Sequence, residues 1–264
     1  MSRAAVPSRD LFAEHYVDHR ADGAKEIITS RLRRHGLVTL DGLDSRAAVL
    51  KLTAKYLDIV SHRDSDSDGL TVIHNTRRHH DRPGFAGLGA GALAPHTERS
   101  GTPSPPRLML FVCARPAEEG GDTFLTDGLD VYTDLAAERP EAVEALSEDL
   151  AGFFGGQDGV FAPVFRSTGD GRVSVRLRLD DLVRWNPLVN PHIPALTVAI
   201  HRRRQRLLLE AGDAYLIDNS RWLHARTAFA GPRRMYRALG NPRFSLPAGF
   251  ALPDRQTRPA LETA

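Results

Sequence analysis

The feature that most constrains this 264-residue chain is a succession of short strand signals that dominates its second half. The run RLMLFVCA at 107–114 is continuously apolar, the pattern of a strand covered on both faces. DTFLTD at 122–127 and GRVSVRLRL at 171–179 alternate with a period of two. RLLLEAGDAYLIDN at 206–219 gives two short strands around the turn Ala211-Gly212-Asp213, and RRMYRALGN at 233–241 gives another. Helical spacing lies ahead of and between these runs. It covers Ala24 to Arg34, stopped by His35-Gly36, then Ser45 to Val60 behind a capping serine, and 131–146, broken at Pro140. With short strands at 37–40 and 70–73, the pattern predicts a mainly β chain with helices, built as a jelly-roll-type double sheet.

Residues 1–23 read as a polar, weakly ordered N-terminal arm, residues 24–264 as one domain, and the tail from Pro247 as irregular. Hydrophobic residues make up 41% and charged residues 26%, which excludes a wholly disordered chain. The single cysteine, Cys113, rules out an internal disulfide and any cysteine-based zinc or iron–sulfur site within one chain. A metal must therefore be held by histidines and carboxylates. Neither a signal peptide nor an apolar run of membrane-spanning length is apparent, so the cytoplasm is the expected compartment. Lysine occurs only at positions 25, 51 and 55, leaving 32 arginines against 33 acidic residues. That balance does not make a one-signed surface, so the expected partner is a small-molecule substrate, with no nucleic acid and no membrane. The sequence sets no oligomeric state.

The glycine-rich stretch 84–95 has neither the spacing of a phosphate-binding loop nor a strand–GxGxxG–helix setting. Of the eleven histidines, His15, His19, His35, His62 and His201 lie in charged surroundings and read as solvated. Side chains of the adjacent pair His79-His80 would point apart on an extended segment. His96 and Glu98 are different. Two apart at a strand end, they share a face and can take adjacent positions on one cation. His224, delivered by a short loop after Asp218-Asn219, suits the closing position across the sheet. Two histidines and one carboxylate form the facial triad of non-haem Fe(II) oxygenases, which leaves three coordination positions open. Thr123 offers a hydroxyl on a strand soon after. Arg233 and Arg237 share one face of a strand and Arg234 takes the other, so one inward arginine can clamp a dicarboxylate. Asn75, Arg99, Ser100, Trp222 and Arg237 flank these motifs and are the candidate substrate residues. Arg178 and Trp185 read mainly as surface pairing or core packing, and Asp218-Asn219 as the turn that aims His224.

The blocks PHTERSGTPSPPRLMLFVCARPAEEGGDTFLTDG at 95–128 and GDAYLIDNSRWLHARTAFAGPRRMYRAL at 212–239 resemble the TauD/TfdA and clavaminate synthase-like family of Fe(II)/2-oxoglutarate-dependent dioxygenases, over about 70–245. The resemblance implies a double-stranded β-helix core, iron held by His96, Glu98 and His224, and 2-oxoglutarate and O2 as cosubstrates. It places the distal carboxylate of 2-oxoglutarate on Thr123 and on Arg233 or Arg234. Arg233 is favoured because Arg237 then falls where relatives present a second arginine to the substrate's acid group. Glu98 stands where halogenating relatives carry a small residue, so hydroxylation with release of succinate and CO2 is the implied outcome. The HxE form points to an amino acid or derivative. Two alternatives stay open: a zinc hydrolase on the same ligands, which would have no use for the Thr123 and Arg233 clamp, and a cupin-like binder of a small acid without turnover.

Overall fold

A computed structural model describes residues 10–77 and 84–253 of the chain; His79 and His80 lie outside the described residues. Two antiparallel sheets dominate. The larger runs in the order Leu37–Leu40, Ala214–Asp218, Leu108–Arg115, Arg234–Pro242 and Leu57–Ile59, with Thr71–Ile73 also paired to the 234–242 strand. The smaller runs Gln205–Leu207, Thr123–Asp127, Trp222–Arg226 and Leu93–His96.

The 108–115 strand is apolar throughout because both its faces are covered. Leu108, Leu110 and Val112 pack with Ile28, Leu32, Val49 and Leu52 from the helices Ala24–His35 and Arg46–Tyr56. Met109, one residue out of phase, packs with Leu125, Leu207 and Trp222 of the smaller sheet. Strand periodicity therefore separates a helix-facing core from a core between the sheets.

Several boundaries differ from the sequence reading. Leu11–His15 forms a helix capped by Asp10, Leu11 and Val17 are buried, and the Val17 N–H donates to the Thr39 carbonyl. The arm expected over 1–23 is thus packed from Leu11 to Val17, because Leu11 joins the core between the sheets and Val17 the helix-facing core. The helix predicted to run to Val60 ends at Tyr56, where Leu57–Ile59 turns into an edge strand on residues 240–242. The strand predicted over 171–179 ends at Val175. Beyond it, Arg176 donates to the carbonyls of Ser100 and Thr102, and Leu177 exchanges hydrogen bonds with Thr97, which draws this segment across the His96–Glu98 turn.

Residues 128–203 pass from the 123–127 strand to its partner 205–207. They hold the helices Gly128–Glu138, Pro140–Leu146 and Ile193–Arg203, two small sheets, and a separate core around Phe154, Phe165 and Ile200. Pro140 ends one helix and opens the next from its first position, where its missing N–H costs nothing. No helix among the described residues is long and apolar enough to cross a membrane.

Candidate metal centre and cavity

A cavity of about 510 Å³ opens where both sheets contribute their ends, with His96, Thr123 and His224 from the smaller sheet and Phe111, Tyr215 and Arg237 from the larger. His96 and His224 are direct cross-strand partners, with ring centroids 4.1 Å apart. Glu98 follows two residues after the strand end, and one donor atom from each of the three side chains lies within 4.8 Å of the others. Among the described residues no other group of three or more such side chains gathers in this way.

The donors are held from behind. His96 Nδ1 lies 2.8 Å from the Ala94 carbonyl, so it carries the proton and leaves the Nε2 lone pair for a cation. Burial, reinforced by the neighbouring His224, pushes the His96 pKa down to about 4, so this imidazole is neutral, the form that ligates. Burial alone would raise the Glu98 pKa. The Arg237 guanidinium, donating from Nη1 at 2.8 Å, and then the His224 and His96 rings hold it well below the usual carboxylate range. His224 Nε2 sits 3.4 Å from the same Glu98 oxygen, while its Nδ1 is buried without a hydrogen-bond partner among the described residues. An all-nitrogen and oxygen donor set with a neutral imidazole and an ionised carboxylate fits a divalent first-row metal.

Asn219 does more than the turn expected of it. Its Oδ1 accepts the Glu98 N–H at 2.7 Å, and its Nδ2 donates to the carbonyls of Glu98 at 3.0 Å and Pro106 at 2.8 Å. This buried amide clamps the backbone of Glu98, the candidate carboxylate ligand, rather than aiming His224. Asp218 makes the turn, accepting from the Ser220 N–H and hydroxyl.

The arginines on the 233–242 segment separate cleanly. Arg233 is buried and lines the cavity, whereas Arg234 is exposed. Among the described residues Arg233 has no hydrogen-bond or carboxylate partner; its guanidinium lies over the Phe229 ring, 5.5 Å from the centroid. Gly121 makes room for it. A Cβ there would stand 3.2 Å from Arg233 Nε, and the Gly121 φ of +71° already disfavours any other residue. Thr123, two residues on, is buried and lines the same cavity.

The flanking candidates divide. Arg99 and Ser100 line the cavity. Asn75 is not part of the lining; its Oδ1 accepts the Arg77 N–H at 3.0 Å in a local turn. Trp222 also stands apart, in the core between the sheets, with Nε1 donating to the His35 carbonyl at 2.8 Å. It shares a strand face with His224 but sits one residue pair deeper, at the closed end. Trp185 packs edge-on to Phe154, as a core residue should, whereas Arg178 lines the cavity in a two-point ion pair with Asp180. His62, read as solvated, also lines the cavity, and burial, then Arg237, lowers its pKa. Its charged sequence neighbours, Arg63 and Asp64, conceal this position.

Arg226, which the sequence reading passed over, lies two residues beyond His224 on the same face. Its Nη2 donates to the Gly89 and Gly91 carbonyls at 2.8 and 2.5 Å. It thereby fixes the glycine-rich stretch that forms one cavity wall. A HxR spacing after a candidate ligand is the signal that could have found it.

Two histidines and a carboxylate in one cavity with a buried arginine that has no carboxylate partner among the described residues form a donor set of the kind found in non-haem iron oxygenases. Residues 8–239 match the family model described as "Taurine catabolism dioxygenase TauD, TfdA family", and the chain belongs to that family. It is 32% identical over 151 residues to a uridine-5'-phosphate dioxygenase from a Streptomyces species, a match spanning 50% of this chain and 55% of that protein. Two solved structures share its fold. The non-heme iron oxygenase OrfP, in complex with Fe and alpha-ketoglutaric acid, has a TM-score of 0.67 at 16% identity, covering 83% of this chain and 80% of that one. An asparagine oxygenase complexed with Fe(II), 3-hydroxyasparagine and succinate has a TM-score of 0.65 at 17% identity, covering 81% and 78%.

Proposed function

We propose that the protein is an Fe(II)- and 2-oxoglutarate-dependent dioxygenase that hydroxylates a small molecule and releases succinate and CO2. The carrying observation is Arg233, a buried cation with no carboxylate partner among the described residues, in the same cavity as the three donors. His96, Glu98 and His224 would hold iron, and Arg233 with the Thr123 hydroxyl would take the distal carboxylate of 2-oxoglutarate. Iron bound there supplies O2 activation coupled to decarboxylation of the 2-oxo acid. Asn219 keeps Glu98 in place, Arg226 holds the wall at Gly89 and Gly91, and the cavity orients the substrate and excludes water.

We read the two main sheets as the double-stranded β-helix of the family, and the substrate as an amino acid or derivative, a class to which the asparagine oxygenase's ligand belongs. Arg99, Ser100 and Arg237 are the substrate residues in this reading. A buried free cysteine, pushed up to about pKa 11 by burial, fits a reducing compartment, the cytoplasm.

Anaerobic addition of Fe(II) and 2-oxoglutarate tests the reading. A visible metal-to-ligand charge-transfer band, followed by succinate formation on admitting O2, supports it. No band, together with zinc-dependent hydrolysis, reverses it.

A further inference from the structure

Among the described residues six arginines line the cavity, against the three carboxylates of Asp64, Glu98 and Asp180. In the dioxygenase reading, on which this inference rests, a divalent iron and a doubly charged 2-oxoglutarate cancel, so the excess of three positive charges remains. Four of the arginines are already engaged. Arg237 pairs with Glu98, Arg178 pairs with Asp180, Arg226 is spent on glycine carbonyls, and Arg233 is assigned to the cosubstrate.

Arg99 and Arg63 are left. Arg99 immediately follows the ligand Glu98 and has a φ of +52°, a left-handed conformation that is strained for arginine. Among the described residues its guanidinium makes one long contact, Nη1 to the Ser61 carbonyl at 3.4 Å, and has no acid partner. Through Ser61 it leans on the turn that carries Arg63. Arg63 is half exposed, donates to the Gly84 carbonyl and lies over the Phe85 ring at 4.0 Å, while the Asp64 carboxylate stands 3.4 Å from its Nε. Strained backbone beside a metal ligand, used to hold an uncompensated cation in a cavity, is spent on recognition rather than on packing.

We propose that Arg99, supported by Arg63, forms an anion subsite for the substrate, separate from the Arg233 site, and that the substrate carries a phosphate or carboxylate group. A neutral substrate would leave Arg99 without a counter-charge, since Asp64 is already shared with Arg63. An oxyanion accepts from both guanidinium groups while its C–H bonds face the metal centre.

The test is a calorimetric titration of methyl phosphate, and separately acetate, into protein loaded anaerobically with Fe(II) and 2-oxoglutarate, so that the Arg233 site is filled. At least one anion should bind. Arg99→Gly, which suits the backbone at this position, should weaken it at least about tenfold, and Arg63→Gln, at a half-exposed side chain, should weaken it by less. Tighter methyl phosphate assigns a phosphate monoester, and tighter acetate a carboxylic acid. If the charge-transfer band forms but neither anion binds, or both variants bind as the unmodified protein does, the subsite is refuted and the dioxygenase reading stands. If the band itself fails to form, both fall together.

Discussion

The two main sheets face one cavity with opposite equipment. The smaller sheet brings the candidate metal donors His96 and His224, together with Thr123 and Arg226; the larger sheet and its lead-in bring two cations, Arg237 and Arg233, and no candidate donor. In the proposed reading the metal is held beside the smaller sheet and the main cosubstrate cation, Arg233, stands beside the larger, with Thr123 contributing from the smaller sheet and the Arg237–Glu98 ion pair joining the two sides. The difference teaches that the two affinities should be separable by mutation.

The strongest attempt to break that separation is Glu98→Ala or His224→Ala. Either should abolish Fe(II) binding measured by equilibrium dialysis, with a loss beyond the roughly 10–100-fold that supporting residues cost. Arg233→Gln should lower 2-oxoglutarate affinity by about 2–5 kcal/mol, the effect of removing one partner from a buried charged pair, with Fe(II) affinity retained. Parallel loss of both affinities would erase the division between the sheets. Asn219→Ala sharpens it from the carboxylate side: Fe(II) affinity should fall by about 10–100-fold, with a smaller change in 2-oxoglutarate binding measured at saturating metal. In the iron-free protein, thermal denaturation should show stability declining as pH falls from the ordinary histidine value of 6.5 toward 4. The unfolded chain protonates His96 at the ordinary value while the native one resists to about 4, so acid favours unfolding across that window. The smallest effect belongs to Trp222→Phe, which removes the hydrogen bond to His35. It should cost about 1 kcal/mol of stability in denaturant melts and leave the KM for 2-oxoglutarate unchanged.

What the sequence made legible was parity. Period-two spacing put His96 with Glu98, and Arg233 with Arg237 apart from Arg234, and each grouping survives in three dimensions. Depth along a strand was not legible. Trp222, His224 and Arg226 share one face, yet they serve in turn as core plug, candidate ligand and loop post. Nor could local spacing reveal that Asn219 would reach Glu98, 121 positions away in the chain, or that His62 would turn into the cavity from a charged loop. Asn75 shows the converse. Proximity to a motif suggested a binding role, but its side chain is committed to a local turn. Of the small sheets only the Arg172–Val175 strand was legible; the others are two or three residues long, too short to set a period.

The pairing of the 93–96 strand with the 222–226 strand carries one residue too many. Ala94 and Pro95 stand where the partner supplies only Ala225, and Pro95 is tolerated because this is an edge strand. The irregularity brings the Ala94 carbonyl within reach of the His96 ring. Deleting either residue would give a more regular ladder and keep His96 opposite His224, but it would change the backbone that presents a carbonyl to the His96 ring. Regularity of the sheet and orientation of one imidazole thus pull against each other at a single position, so an automated stabilisation of this edge would free the His96 ring to turn while improving the ladder.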